Sequence, residues 1–228
     1  MKFHYTNLET CHETTGLVIV IDVIRAFTNA AFAFGQGAER ILPVSGVEEA
    51  LTLKRQLPNA LACGEVGGLP PEGFDFGNSP TQTQQLDLRG RTILQRTSAG
   101  TQGVTRSIRA EQMLAASFVV AGATVRYVGQ LAPETVSFVI TGQTFFTGGE
   151  EDLACAEYLE ACLRGQSPDA APYLERVRHS RDAQQHFVPN QTLFPTSDID
   201  LCTDLDRFDF AMPITREDGR FVMRAIRP

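Results

Sequence analysis

The stretch Leu17-Val18-Ile19-Val20-Ile21-Asp22-Val23-Ile24-Arg25-Ala26-Phe27 opens with five consecutive apolar, mostly β-branched residues and breaks at an acid. A run of that length and composition is a strand buried on both faces, the kind a parallel sheet requires. Past Arg25, the residues Ala26, Phe27, Ala30, Ala31 and Phe34 fall on one helical face until Gly35 and Gly37. A helix is therefore predicted over 25–37. Strand, acid, helix is one half of a βα repeat. The pattern recurs in Ile41-Leu42-Pro43-Val44, a short strand, and Ser45-Gly46-Val47-Glu48, a capping box that opens a helix with Val47, Ala50, Leu51 and Leu57 inward.

Further along, strands are predicted over 60–63, 92–96, 119–121 and 136–140, with helices from 101 to about 110 and over 123–131. A helix ending near Arg164 buries Leu153, Ala156, Leu159 and Leu163; a polar helix follows over 172–186, then a strand pair at 212–214 and 221–226. Strands and helices alternating at this spacing imply parallel strands joined by crossover helices. The expectation is one domain over 1–228 of class α/β, a three-layer α/β/α sandwich with a mainly parallel sheet. Residues 166–228 complete that fold.

Length and composition agree with this class. For 25.0 kDa a folded monomer exposes roughly 10,000 Å², so 228 residues can bury a full core without staples. The chain is 43% hydrophobic and 21% charged, which excludes a disordered chain. No apolar run approaches the ~20 residues of a spanning helix, and residues 1–15 lack a basic start and an apolar core, so no membrane association and a cytoplasmic location are expected. The formal net charge of −7 argues against a nucleic-acid partner. Of the 20 basic residues only Lys2 and Lys54 are lysine; arginine is the better bidentate clamp for phosphate and carboxylate. Five cysteines (Cys11, Cys63, Cys155, Cys162, Cys202) without a CxxC pair form neither a disulfide framework nor a zinc ribbon and read as small buried hydrophobes.

In open α/β sheets ligands lie beyond the carboxyl ends of the strands. The residues so placed are Asp22 and Arg25, Gly64 and Glu65, 96–101, and 141–152. Acids that suit a hard divalent cation thus share an edge with the hydroxyls, glycine amides and arginines that suit an anion, which is the inventory of metal-assisted phosphoryl chemistry. Each piece also has a plainer reading. Asp22 serves equally as the N-cap of the next helix, Arg25 as a solvated first-turn residue, Thr97-Ser98-Ala99-Gly100-Thr101 as an ordinary turn, and Glu151-Asp152 as first-turn acids favoured by the helix dipole. His4, His12, His179 and His186 read as surface residues, and the acids from Asp198 to Asp209 as a solvated face. The segment 64–80, with five glycines and three prolines, is too irregular for a helix or strand yet lies mid-domain, and such loops are commonly functional. It ends in Ser79-Pro80-Thr81-Gln82, a cap and first helical turn. An aspartyl-phosphatase of the haloacid dehalogenase type needs a second acid where Ile24 stands. A cysteine hydrolase of the isochorismatase-like class has Asp22 and Cys155 available, but Lys54, the one internal lysine, lies mid-helix away from the strand ends. A non-catalytic anion binder is the third reading.

Taken together, Asp22-Val23-Ile24-Arg25-Ala26, Gly64-Glu65-Val66-Gly67-Gly68, Glu72-Gly73-Phe74-Asp75-Phe76-Gly77-Asn78-Ser79-Pro80, Arg96-Thr97-Ser98-Ala99-Gly100-Thr101 and Glu151-Asp152-Leu153-Ala154-Cys155-Ala156 resemble the 2-phosphosulfolactate phosphatase family in order and spacing over residues 17 to 165. The resemblance implies an Mg2+-dependent acid phosphatase that removes phosphate from 2-phospho-3-sulfolactate, a step toward coenzyme M. It implies Asp22, Arg25, Glu65 and Asp75 as catalytic residues, with Asp22, Glu65 and Asp75 holding the metal. Asn78, Ser79, Thr97, Ser98, Gly100 and Thr101 would bind the small anionic substrate together with Arg25. Val66, Phe27 and Ala99 stand where the family pattern carries an arginine, a hydroxyl residue and an asparagine. A homodimer is the assembly left open.

Overall fold

A computed structural model describes residues 1–142, 148–189 and 192–228. Among these, nine strands form one sheet: β1 (Lys2–Asn7), β2 (Leu17–Ile21), β3 (Arg40–Pro43), β4 (Ala60–Gly64), β5 (Thr92–Arg96), β6 (Gln112–Ala116), β7 (Thr135–Ile140), β8 (Met212–Glu217) and β9 (Arg220–Met223), in the order β1-β7-β2-β6-β8-β9-β3-β5-β4. The helices are α1 (Ala26–Gly35), α2 (Val47–Gln56), α3 (Pro80–Thr83), α4 (Gly100–Arg106), α5 (Ala121–Leu131), α6 (Glu150–Leu163), α7 (Ala171–His179), α8 (Arg181–Gln184) and α9 (Thr196–Cys202). The class is α/β, a three-layer α/β/α sandwich. Two parallel sets, β1-β7-β2-β6 and β3-β5-β4, are joined by the antiparallel hairpin β8–β9, which pairs β6 through Met113 and Ile214 and β3 through Ile41 and Met223. Residues from the C-terminal part thus occupy the middle of the sheet.

The apolar run 17–21 behaves as its composition demands. Val18 and Val20 pack on one face with Ala26, Phe27 and Ala30 of α1 and Val104 of α4. Leu17, Ile19 and Ile21 pack on the other with Val128 of α5 and Ala154 and Leu159 of α6. Each fully buried Val, Leu, Ile or Phe among them contributes about 1.5–3 kcal/mol. The molecule exposes 10137 Å², as its mass requires.

Twist brings distant strand ends together. Four strands separate β5 from β2 in the sheet order, yet Gln95 at the end of β5 donates to the carbonyl of Ala26 at 2.8 Å. Helix α4 crosses from β5 onto β2, where a Cβ on Gly103 would lie 2.6 Å from Val20 Cγ1. At Gly64, φ is +129° and a Cβ would lie 1.8 Å from the Arg96 carbonyl oxygen; glycine alone fits between these strands.

Several expectations need correction. Residues 118–120 form a 3-10 turn rather than a strand, and the strand lies earlier, at β6. Its Gln-Met-Leu-Ala-Ala sequence has no β-branched residue, and its extension follows from pairing with β2 and β8. Strand β1 was not expected; it is a polar edge strand held by β7 alone. The helix expected over 172–186 breaks at Ser180, which is extended and accepts a hydrogen bond from the Ala183 amide to cap α8. His186 is buried instead of exposed, and Asp198 is buried within α9 instead of belonging to a solvated face.

Candidate active site

Asp22 stands at the carboxyl end of β2, 4% exposed. One carboxylate oxygen accepts from the Ala26 amide at 2.8 Å; the N-cap position expected for Asp22 falls to Arg25 instead, three residues later. The second oxygen faces Gly100, where a Cβ would come within 2.7 Å of it. Burial pushes the Asp22 carboxyl up to about 6, with the Ala26 amide opposing and Glu65 adding to the rise.

Further acids arrive from the start of α6 and from α8. Asp152 is fixed by the amides of Val23 (2.8 Å) and Gly142 (2.9 Å) and by the Thr141 hydroxyl (3.2 Å), tying the ends of β2 and β7 together. Burial, then Glu151 and Asp22, hold it well above the usual carboxylate range. Glu151 is pushed up to about 8, first by burial and then by Asp182 and Asp22; its Oε2 is buried without a hydrogen-bond partner among the described residues. Asp182 is raised by burial as well, against the pull of Arg181. Asp22, Glu151 and Asp152 are therefore buried acids crowded together, with the half-buried Asp182 hydrogen-bonded to Glu151 beside them.

The remaining predicted residues fall into separate clusters. Glu65 bridges two loops: it accepts from the Ser98 amide (2.5 Å), the Ser98 hydroxyl (3.0 Å) and the Gly68 amide (2.7 Å), while Arg96 donates to its carbonyl at 2.8 Å. Asp75 faces β4, accepting from the Ala62 amide at 2.7 Å and from Lys54 at 2.8 Å. Asp22, Glu65 and Asp75 thus make separate sets of contacts, and among the described residues no three acids, histidines or cysteines form a group able to hold a metal. Thr97 and Thr101 cap each other, the Thr101 amide meeting the Thr97 hydroxyl at 3.0 Å and the Thr97 amide the Thr101 hydroxyl at 2.8 Å. Asn78 is buried with its Oδ1 unpartnered among the described residues.

Arg25 forms a further centre. Its Nη1 donates to Asp198 at 2.7 Å and to the Leu193 carbonyl at 3.2 Å, and its guanidinium lies 4.8 Å from the Phe194 ring centroid. Asp198 also accepts from the Ser79 hydroxyl (2.7 Å) and the Thr81 amide (3.0 Å). A residue read as surface thus ties Arg25 to the first turn of α3. Asp198 shares an inward helical face with Ile199 and Cys202, a pattern present in the sequence. Nothing local marks Asp182, whose place is set by the break at Ser180.

The chain matches the sequence profile described as 2-phosphosulpholactate phosphatase over residues 3–217. It belongs to the 2-phosphosulpholactate phosphatase family. Among its relatives, one from Bacillus subtilis is 35% identical over 202 residues, 88% of this chain and 87% of the relative. One from Carboxydothermus hydrogenoformans is 32% identical over 220 residues (92% and 91%), and one from Thermotoga maritima 33% over 214 residues (90% and 91%). Each is described as "Probable 2-phosphosulfolactate phosphatase".

Within this member of the phosphosulpholactate phosphatase family, the geometry disfavours a cysteine nucleophile. Cys155 is fully buried, and burial with Asp152 nearby holds its thiol well above the ordinary value, whereas reactive cysteines are exposed and depressed. Lys54, which that chemistry would need at the strand ends, is paired with Asp75. Val66, at the tip of the loop after Glu65, is 45% exposed and gives that rim an apolar contact in place of a charge.

Proposed function

We propose that this chain is a magnesium-dependent phosphoric monoester hydrolase that converts 2-phosphosulfolactate to sulfolactate and phosphate on the route to coenzyme M, in the cytoplasm. The observation that supports the metal is the set of buried acids around Asp22: Asp22, Glu151 and Asp152 are all held above their ordinary values, first by burial and then by neighbouring acids. Carboxyls raised in this way hold protons, and a cation binding between them would take the place of those protons. Magnesium takes only one or two carboxylates and completes its shell with water and substrate phosphate. Asp22 and Glu151 fit that demand, Glu151 through its unpartnered Oε2, whereas the oxygens of Asp152 are taken by amides and a hydroxyl. A bound magnesium ion would polarise the phosphoryl oxygens.

The chain's own residues bind and orient. Arg25 offers the substrate its guanidinium from the turn that carries Asp22, held in place by Asp198. Asn78 and Ser79 line the start of α3 on the same side. Glu65 and Asp75 act as positioning acids, Glu65 fixing the loop 64–68 against Ser98. The test is phosphate release from 2-phosphosulfolactate, phospholactate and phosphoglycolate, each with magnesium and with a chelator. Magnesium-dependent release fastest from 2-phosphosulfolactate is expected; release that ignores the chelator would overturn the metal assignment. Arg25→Ala should raise KM more than it lowers kcat, and an unchanged KM would remove Arg25 from the substrate.

A further inference from the structure

The sheet has two edges, and the chain treats them differently. At β4 the segment around Asp75 closes the edge. The Asp75 amide donates to the Ala62 carbonyl at 2.8 Å, Asp75 Oδ2 accepts from the Ala62 amide at 2.7 Å, and the Gly64 amide donates to the Phe76 carbonyl at 3.3 Å. At the other edge stands β1, paired with β7 alone. Its ladder begins with the Lys2 amide on the Glu134 carbonyl at 2.7 Å. Backbone groups alternate in direction along a strand, so Lys2, His4 and Thr6 turn theirs to β7 while Phe3 and Tyr5 turn theirs outward. Among the described residues those outward amides and carbonyls meet no partner, and Lys2, His4 and Tyr5 are exposed.

An open edge is a template for another strand, and the side chains beside it restrict which strand fits. Phe3 and Tyr5 lie on the α6 face, both against Phe138. Arg164, just past α6, covers Phe3 at 4.6 Å from the ring centroid, and Glu160 accepts from the Tyr5 hydroxyl. The two charges are themselves paired at 2.7 Å. The edge therefore carries a cation beside Phe3 and an anion beside Tyr5, so it complements its own reverse. A two-fold axis perpendicular to the sheet keeps α6 of both copies on one face and pairs only residues that face the same way. Centred on Phe3, such an axis would set two copies of Arg164 side by side; centred on Tyr5, two copies of Glu160. Centred on His4, it sets Arg164 beside the partner's Glu160, and Phe3 exchanges both backbone hydrogen bonds with the partner's Tyr5.

We propose that β1 is an interaction surface for a second copy of this chain, the two β1 strands pairing antiparallel about an axis at His4. The two sheets then run into one another through the interface. Because the paired strands are antiparallel, the strand ends that carry Asp22 in the two copies point in opposite directions. The inference stands on the edge alone and does not depend on the phosphatase reading.

The experiment is sedimentation velocity on the full chain at micromolar concentrations, where a mass of twice 25.0 kDa is expected. Arg164→Glu sets like charges across the axis and should raise the dissociation constant more than about tenfold. Adding Glu160→Arg to that variant restores opposite charges and should recover the dimer. His4 faces its own copy at a pair that makes no backbone hydrogen bonds, where Cα atoms lie about 4.5 Å apart, within disulfide reach. His4→Cys should therefore give a covalent dimer on mild oxidation, whereas the parent, whose cysteines are buried or half-buried, should not. A parent with the mass of one chain overturns the proposal. So does a dimer that withstands Arg164→Glu or leaves His4→Cys unlinked, because its interface lies elsewhere. Should Arg164→Glu fail to fold, His4→Cys, at an exposed position, decides alone.

Discussion

Asp22 satisfies the first amide of α1 and is also the most strategically placed acid. The Ala26 amide holds one oxygen and the Gly100 amide also donates to the carboxylate; Oδ2, beside Gly100, is the functional candidate. Because burial already disfavours its charge, Asp22→Asn should leave the metal-free protein at least as stable as the parent, read as an equal or higher Tm. A clearly lower Tm would show that the charge itself holds the fold. Arg25 is the opposite case. It and Asp198 are both nearly inaccessible, and removing one member of a buried pair costs about 3–5 kcal/mol. Arg25→Ala should lose that much in urea unfolding, whereas a loss under 1 kcal/mol would mean that the pair is solvated. Asp22, Arg25 and the loop after β4 were legible in the sequence because strand ends in such sheets carry function. Asp182, His186 and Asp198 were not, since their inward orientation depends on contacts with residues as distant as Arg25 and Ser79.

Elements whose pattern is local were the ones the sequence disclosed. The run 17–21 is apolar at every position and became β2, and the capping pattern at 79–82 became the start of α3, with Ser79 accepting from the Gln82 amide. Strand β1 was hidden because Phe3, Tyr5 and Thr6 are mixed with Lys, His and Asn on an edge held by β7 alone, and β6 because it has no β-branched residue and exists through β2 and β8. Helix α4 matters for how closely it approaches. A Cβ at Gly100 would meet Asp22 Oδ2 at 2.7 Å and Ala26 Cβ at 2.8 Å, so Gly100→Ala must push Asp22 aside. Displacements of that order cost about 10²-fold in rate. Steady-state kinetics on Gly100→Ala should show that fall in kcat with a folded protein, and an unaltered kcat would separate Asp22 from the reaction.

For the whole molecule, the acids that serve the site burden the fold. Asp22 at about 6 and Glu151 at about 8, with Asp152 and Asp182 also raised, bind protons more tightly folded than unfolded. The native state then holds more protons between about pH 4 and pH 8, so stability falls as pH rises through that window. Urea unfolding in a chelator should therefore give lower stability at pH 8 than at pH 5, and magnesium should flatten the difference; a metal-free protein that gains stability toward pH 8 would contradict this charge distribution. The C-terminal part is as much a structural member as a site member, since β8 and β9 join the two parallel sets while Phe194 covers the Arg25 guanidinium. The most direct test of the account is inorganic phosphate release from 2-phosphosulfolactate by the parent chain and by Asp22→Asn, side by side with magnesium present. The account predicts steady release by the parent and none above background by the variant, at equal folded concentration. Comparable release by both would contradict it.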